Sequence, residues 1–573
     1  MPQIPSLKLA SKLGLATIGL VLLAVPAVAR DRFQDLKDST YWMQLCTTLA
    51  KTQPAEAVTA CERAIELRSG DGQLWSQYGA LLLNLKQYPE AIAALGQALK
   101  RQPNHSQAWS DQCIALTEVA QTATALAACE KALEVNANWG ERTPITAHHY
   151  RSLLLGTPAA YQAAIQTYDQ VLAKNPQDSQ ALFYRGEAMQ KLGQPPGETI
   201  DYFKRALTGN GQWGQASPLA AWRGQATTQK TMGQLDQAVQ SFDRALHLQP
   251  NDALTWFQQG RTLQELNRPI DALTAYHRTL YLQPNWSEAL LAQCRVLNQL
   301  QQAEAASATC EKAIQGDGKW GQANIAQAWN QNSVALTMLG KLELALAYAN
   351  RAVGMQPEVG EMWNDRAVVL WYLKRDDEAL ESVRRALALN GEDARAWANL
   401  ARILRSLNQP NEALTAYKQA LKRDPKNAGT WANLSALQWS LGAHPGALVS
   451  ANEALGINPK LVQGWQNRAL ALVALKNFPD AQQAYERAIA LDKTNAESWT
   501  GLGLVLAQLQ QYPKAIQALK TAIRLNPQQA VAQKALTALL AATAKSGEEE
   551  RSEGDREELP ENPLPSSDRD TSE

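Results

Sequence analysis

Tryptophan recurs every 34 residues along this chain, and that period limits the fold more than any other feature. Trp363, Trp397, Trp431, Trp465 and Trp499 are each 34 apart, as are Trp222 and Trp256, Trp329 and Trp363, and Trp75 and Trp109. The same frame returns around each, as in "AESWTGLGLVLAQLQQYPKAIQALKTAIRLNP" from 496 and "ARAWANLARILRSLNQPNEALTAYKQALKRDP" from 394. Apolar or small residues recur at helical spacing, and a Gly, Asn or Pro interrupts midway. A second helical stretch follows, and Asn-Pro or Asp-Pro closes the unit. Each unit reads as a helical hairpin. One hairpin cannot bury both of its apolar faces, so neighbours must stack around a continuous core. The period also explains why 17 tryptophans outnumber 6 phenylalanines: most are wedges at one fixed core position.

These segments resemble tetratricopeptide repeats. Trp, then Leu-Gly or an equivalent small residue, then Ala, an aromatic, Ala and Pro follow in that family's order. The resemblance covers roughly 39–529 in about 14 units. It implies an all-α fold, a right-handed α-α superhelix (a solenoid) whose concave face is lined by the first helix of each unit. The stretch 530–545, "AVAQKALTALLAATAK", has one apolar face and reads as a capping helix. Residues 546–573 carry eleven acidic against three basic residues and read as a disordered acidic tail.

The other end carries an export pattern. Lys8 and Lys12 precede a nearly all-apolar run over 13–25, and Ala27-Val28-Ala29 has the small-x-small form of a cleavage site. A signal peptide over 1–29 and a linker over 30–38 are expected. An uncleaved N-terminal anchor is the alternative, although the apolar run is short for a bilayer span. Either way the repeats lie in a periplasmic or other extracytoplasmic compartment, where disulfides persist.

All six cysteines fall on two frame positions. A small residue normally stands four past the tryptophan and a large one 16 beyond it, as with Gly260 and Tyr276, Ala401 and Tyr417, and Gly503 and Leu519. The small partner makes room for the large one across the hairpin. Cys113 with Cys129 and Cys294 with Cys310 replace both members, and Cys46 with Cys61 does so in a unit one residue shorter at its turn. Each pair straddles its turn at one height on antiparallel helices, within reach of disulfide geometry. Three intra-hairpin disulfides are expected, with buried thiol pairs as the alternative.

Three junctions are five residues longer than the rest: Cys129 to His148, Phe203 to Trp222 and Cys310 to Trp329 each span 19, against 14 for Tyr417 to Trp431. Each holds a Trp-Gly (Trp139-Gly140, Trp213-Gly214, Trp320-Gly321), and the third reads G-D-G-K-W-G, the spacing of a dinucleotide-binding loop. No strand precedes it, which such a loop requires. Asn136 and Asn138 stand where Gly209 and Gly211, or Gly316 and Gly318, stand elsewhere. Asn and Gly share tolerance for left-handed backbone, so the motif reads as a helix exit. Its tryptophan either covers the hairpin end or captures a partner.

No reaction centre emerges. The histidines are scattered, no H-x-x-x-H, G-x-S-x-G or Walker loop occurs, and the formal charge is zero. No enzyme, metal, cofactor, nucleotide or nucleic-acid role is expected. Binding of a protein or extended peptide is. Asn399, Asn433 and Asn467 stand two residues after their tryptophans at strict spacing of 34. A row of amides there can hydrogen-bond a peptide backbone. This is similar to the asparagine ladder of the O-linked N-acetylglucosamine transferase repeats, whose catalytic domain is missing here; a solvated polar edge is the plainer reading. Trp371 and Trp439 fall eight past their frame tryptophans, with Arg395, Arg402 and Arg405 on the helix between. They read as groove anchors, or as core filling between units. The lysine and asparagine set that clamps chaperone C-termini is not in register. An envelope-assembly component using its edges and Trp-Gly junctions is the second function class, and an enzyme acting on envelope polymers the third.

Overall fold

The computed structural model describes residues 37–549 other than Lys51 and Glu141. The expected signal peptide, most of the linker and the tail from 550 lie outside the described residues. Within them every regular element is an α-helix, twenty-nine from Ser39–Leu49 to Ala530–Glu549, which fits about fourteen two-helix units. The chain forms two compact units, one ending at Asn267 and one starting at Arg268. In each, the two helices of a hairpin pack on one another and the second packs on the first helix of the next hairpin. The last helix runs to Glu549, four residues beyond the apolar stretch that forecast it.

The turn inside most hairpins has one fixed solution. The residue eleven past the frame position is left-handed: Lys86, Ala120, Lys374, Asn408, Lys476 and Gln510 at φ 58–60°, and Gly193, Gly233, Gly340 and Gly442 at φ 63–75°. Proline then opens many second helices, including Pro54–Leu67, Pro410–Arg423 and Tyr512–Leu525 at its first or second residue. There the missing N–H costs no helical bond.

The expected small-against-large contacts form. A Cβ built on Gly79 would lie 2.5 Å from Leu95, one on Gly186 3.1 Å from Phe203, and one on Gly503 2.7 Å from Leu519. The cysteine pairs occupy the same contact as disulfides, with Cα atoms 5.1 Å apart for Cys46–Cys61, 5.2 Å for Cys113–Cys129 and 5.5 Å for Cys294–Cys310.

The frame tryptophans are half-buried staples rather than enclosed wedges. Each of Trp75, Trp109, Trp256, Trp363, Trp397, Trp431, Trp465 and Trp499 donates its indole N–H, over 2.8–3.0 Å, to the carbonyl six residues earlier. The ring thus ties the loop between repeats to the helix that follows it. This is why tryptophan, not phenylalanine, holds the position.

The long junctions are bends that dock on the repeat they leave. Asn136, Asn138, Gly140, Gly211, Gly214, Gly318 and Gly321 have φ between 44° and 73°. Gly209 and Gly316 differ from the expectation: they are glycine because a Cβ would lie 2.6 Å from the Gln177 carbonyl or 2.5 Å from Ser287 Oγ. Three buried serines opening first helices receive the bends. Ala137 N–H donates to Ser106 Oγ (3.0 Å), Gly211 N–H to Ser179 Oγ (3.1 Å) and Gly318 N–H to Ser287 Oγ (3.1 Å). Asn210 and Asp317 cap the same helices, accepting from the N–H of Ser179 and Ser287 at 3.2 and 3.1 Å. Trp139, Trp213 and Trp320 lie half-buried over these bends, and Trp139 donates to Asn136 at 3.0 Å.

Candidate functional site

In the second unit the first helices Gly360–Tyr372, Ala394–Ser406, Ala428–Ser440 and Val462–Ala474 follow one another at the 34-residue period. The next-to-last residue of the first three is Trp371, Arg405 and Trp439. One frame position therefore carries a Trp-Arg-Trp row, each member half-buried. The Arg402 guanidinium, from the following helix, sits 4.3 Å from the Trp371 ring centre, and the Lys374 ammonium sits 5.3 Å from it. Tyr372 meets the same indole edge-on at 4.9 Å. Trp371 also leans on the core around Leu370 and Leu404.

The row differs from the frame tryptophans in one respect. Trp371 Nε1 and Trp439 Nε1 are buried and have no acceptor, whereas the eight frame indoles named above each have one. An unmet buried donor costs about 1–3 kcal/mol. A stacked guanidinium contributes about 0.5–2 kcal/mol.

The amide row is not displayed as its spacing suggests. Asn467 is 2 % exposed and donates to the Ala432 carbonyl of the preceding repeat at 2.8 Å. Asn399 donates to Asn364 Oδ1 at 2.9 Å and accepts from Arg402 at 3.4 Å. Asn433 accepts from Gln463 at 3.3 Å. These amides tie repeat to repeat, because first helices pack closely enough for a side chain to reach the neighbour. Asn399 and Asn433 remain half-buried at the edge of the row, and Asn467 is removed from it. Arg395 is exposed, with ion pairs to Glu361 (3.9 Å) and Asp393 (3.7 Å) on the rim.

The Asn399 bond is part of a chain crossing three repeats. Arg402 reaches Asn399, Asn399 reaches Asn364, Asn364 contacts Asp365 at 3.5 Å, and Asn330 donates to Asp365 at 2.6 Å. Burial pushes the Asp365 carboxyl up to about 6, against the pull of the Asn330 hydrogen bond. Sequence reasoning missed Asn330 and Asn364, which stand one residue after their frame tryptophans. Asparagine at that position in two successive repeats was the available signal.

The first unit buries a second polar cluster that was also missed. His149 stacks on Tyr184 with ring centres 3.8 Å apart and lies 3.7 Å from Glu187. Burial holds the imidazole neutral, its pKa pushed down to about 3, and pushes the Glu187 carboxyl up. Nearby, Gln180 donates to Thr146 at 3.0 Å. At the first long junction, Arg142 Nε bonds buried Asp111 at 2.7 Å. No group of three or more His, Cys, Asp or Glu that could hold a metal ion occurs among the described residues. None of their helices is long and apolar enough to cross a membrane.

Stacked two-helix units bearing a side-chain row, with no catalytic domain among the described residues, define a helical-repeat scaffold. Tetratricopeptide-repeat family models match residues 48–110, 160–221, 221–252, 338–394, 394–427 and 467–530, together more than half of the chain. The chain belongs to the tetratricopeptide-repeat family. No curated protein sequence matches it significantly. Among solved structures it is similar to the APC/C hetero-tetramer Cut9-Hcn1 at 15% identity, covering 91% of this chain and 98% of that one with a TM-score of 0.43. It is similar to yeast Tom70 at 14% identity, covering 90% and 97% with a TM-score of 0.33. A third is YrrB, described as a repeat protein with an unusual peptide-binding site, at 19% identity over 33% of this chain and 96% of that one with a TM-score of 0.29. At these values the likenesses carry no argument about partners.

Proposed function

We propose that the protein is an extracytoplasmic scaffold that captures an extended segment of a partner protein on the first-helix face of its C-terminal repeats. Trp371, Arg402, Arg405 and Trp439 are the anchors, with Asn399 and Asn433 at their edge. The observation that carries this reading is the half-buried Trp371–Arg405–Trp439 row, which stands outside the frame whose indoles staple one repeat to the next. Half-buried aromatics beside arginine are the usual hot spots of protein recognition. The export pattern at 1–29 and the three disulfide pairings support an oxidising compartment. The protein acts by binding, without catalysis, nucleotide or nucleic acid.

Affinity capture from an extracytoplasmic extract, read by mass spectrometry, tests this. Protein held by the wild-type chain should be lost from Trp371→Ala and Trp439→Ala variants that keep their helix content. Equal recovery on all three baits would remove the row as the site. The assembly reading, which uses Trp139, Trp213 and Trp320, is less favoured because those rings already cover their own bends.

A further inference from the structure

The amide chain beside the candidate face runs in one direction. Arg402 Nη1 donates to Asn399 Oδ1 (3.4 Å), Asn399 Nδ2 to Asn364 Oδ1 (2.9 Å), and Asn364 Nδ2 to Asp365 Oδ1 (3.5 Å). Asn330 donates to the other carboxylate oxygen, Asp365 Oδ2, at 2.6 Å. Every donor along the chain thus points to one carboxylate, and the far end is the guanidinium stacked 4.3 Å from the Trp371 ring centre. Arg402 Nε and Nη2 are buried, so Nη1 is the nitrogen that Asn399 holds.

An asparagine amide has a donor end and an acceptor end, so a chain of them carries a direction. A charged carboxylate only accepts, and that fixes the direction; once protonated it also donates. Asp365 Oδ1, which receives the longer bond, is the less satisfied oxygen and takes the proton. The new O–H needs an acceptor, and Asn364 supplies its Oδ1 by turning its amide over. Asn364 Nδ2 then faces Asn399, which turns in the same way to offer its own Oδ1. Asn399 Nδ2 is left against Arg402 Nη1, donor to donor, and the guanidinium loses its hold.

We infer that Asp365 is a positioning residue: while charged it keeps Arg402 on Trp371 through Asn364 and Asn399, and on taking up a proton it slackens the face. This rests on the reading of that face as the binding site and adds its regulation by pH. The charged groups facing Asp365 are Glu361, one turn earlier on its own helix, and Arg395 on the next first helix. The preceding first helix, Ile325–Met338, has no titratable residue. Arg366 points the other way, to Asn350 and Ser382 of the flanking second helices Leu342–Met355 and Asp376–Leu389, and Glu378 and Glu381 act on it there. No histidine occurs over 325–440. Burial pushes the Asp365 carboxyl up to about 6, between the ordinary carboxylate range and that of every other titratable group in these repeats.

The full oxidised chain, grown with fluorotryptophan, is followed by fluorine NMR, the Trp371 signal being the one missing from Trp371→Phe. Between about pH 5 and about pH 8 that signal should move with a midpoint near 6, and the signal of Trp431 should stay still. In Asp365→Asn, whose amide donates as the protonated acid does, Trp371 should remain at its acid position throughout. Asn399→Ala should also hold it fixed, because the chain is cut, whereas Glu361→Gln should leave the movement in place. Protein captured through Trp371 should be recovered about tenfold less at the acid end, as expected when a hydrogen bond from a charged group is lost. In Asp365→Asn recovery should be low at both ends, a loss that a purely structural role would not produce in a chain expected to be the more stable. A Trp371 signal that never moves, or that moves equally in Asp365→Asn or in Asn399→Ala, overturns the proposal. Capture that ignores pH while Trp371 titrates overturns the regulation. If Trp371 titrates as stated but Trp371→Ala loses no partner, the binding reading falls and the positioning by Asp365 stands.

Discussion

Repeats before residue 325 and those over 325–525 share one frame but are held differently. The earlier stretch contains all three long junctions and all three disulfides, and the later one keeps the 34-residue period unbroken. Two of the disulfides, Cys113–Cys129 and Cys294–Cys310, close hairpins whose very next segment is a long junction. A repeat is stabilised mainly by the neighbour it stacks on. A five-residue insertion alters that contact, and a covalent tie within the hairpin offsets the loss. Buried serines, Asn210, Asp317 and the Arg142–Asp111 pair secure the bends in the same way. The regular stretch needs none of this. Its sequence is free to place tryptophans outside the frame, and there the candidate face lies.

The contrast breaks most sharply at Arg142. Arg142→Ala leaves Asp111, which is 0 % exposed, without its cation, and should cost about 3–5 kcal/mol. The loss should be read as faster hydrogen exchange over 106–155, since long arrays do not unfold in one step. Burial already pushes the Asp111 carboxyl up. The loss is therefore largest well above that raised folded-state value and fades as pH falls through it towards the unfolded value of about 3.9. Unchanged exchange at neutral pH would remove the junction clamp.

Next comes Cys113→Ala with Cys129→Ala, which opens a loop worth about 3 kcal/mol in the chain-entropy model. Exchange should accelerate over 106–135 and stay unchanged over 394–525. Equal acceleration in both stretches would end the distinction between stapled and self-supporting repeats.

On the regular side, Asp365→Asn should stabilise by about 1–2 kcal/mol near pH 8 and do nothing near pH 4. The folded carboxyl titrates at about 6, above its unfolded value of about 3.9. Stability is thus lost as pH rises between those values, and asparagine removes that loss. The smallest effect is expected from Ala120→Gly. Its φ of 59° suits glycine, and the exchange should stabilise its hairpin by about 1 kcal/mol. Thermal melts with local exchange would register both.

Much of this was legible in the sequence because repetition turns one residue into many observations. Ten frame tryptophans fixed the period, and paired cysteines on paired frame positions fixed their partners. Trp371 and Trp439 stood out as departures from the frame. Hydrogen bonds between repeats were not legible. Asn399 and Asn467 sit at a spacing that suits a ladder, and only the closeness of neighbouring first helices sends their amides across the stack instead of outward. His149 was missed for a related reason: its meaning comes from Tyr184 and Glu187, a repeat away. Ser106, Ser179 and Ser287 each stand three residues before a frame position whose repeat ends in a long junction. That signal was present but has sense only once the bend is seen to fold back.

The most direct measurement sets Trp439→Ala beside Trp431→Ala, one indole from each class on a single helix, in hydrogen exchange and partner capture. Trp431→Ala should deprotect 410–457 by releasing the loop held through the Pro425 carbonyl. Trp439→Ala should leave that protection in place and lose the partner. Equal deprotection by both, with capture intact in Trp439→Ala, would contradict the division between indoles that hold the stack and indoles that bind.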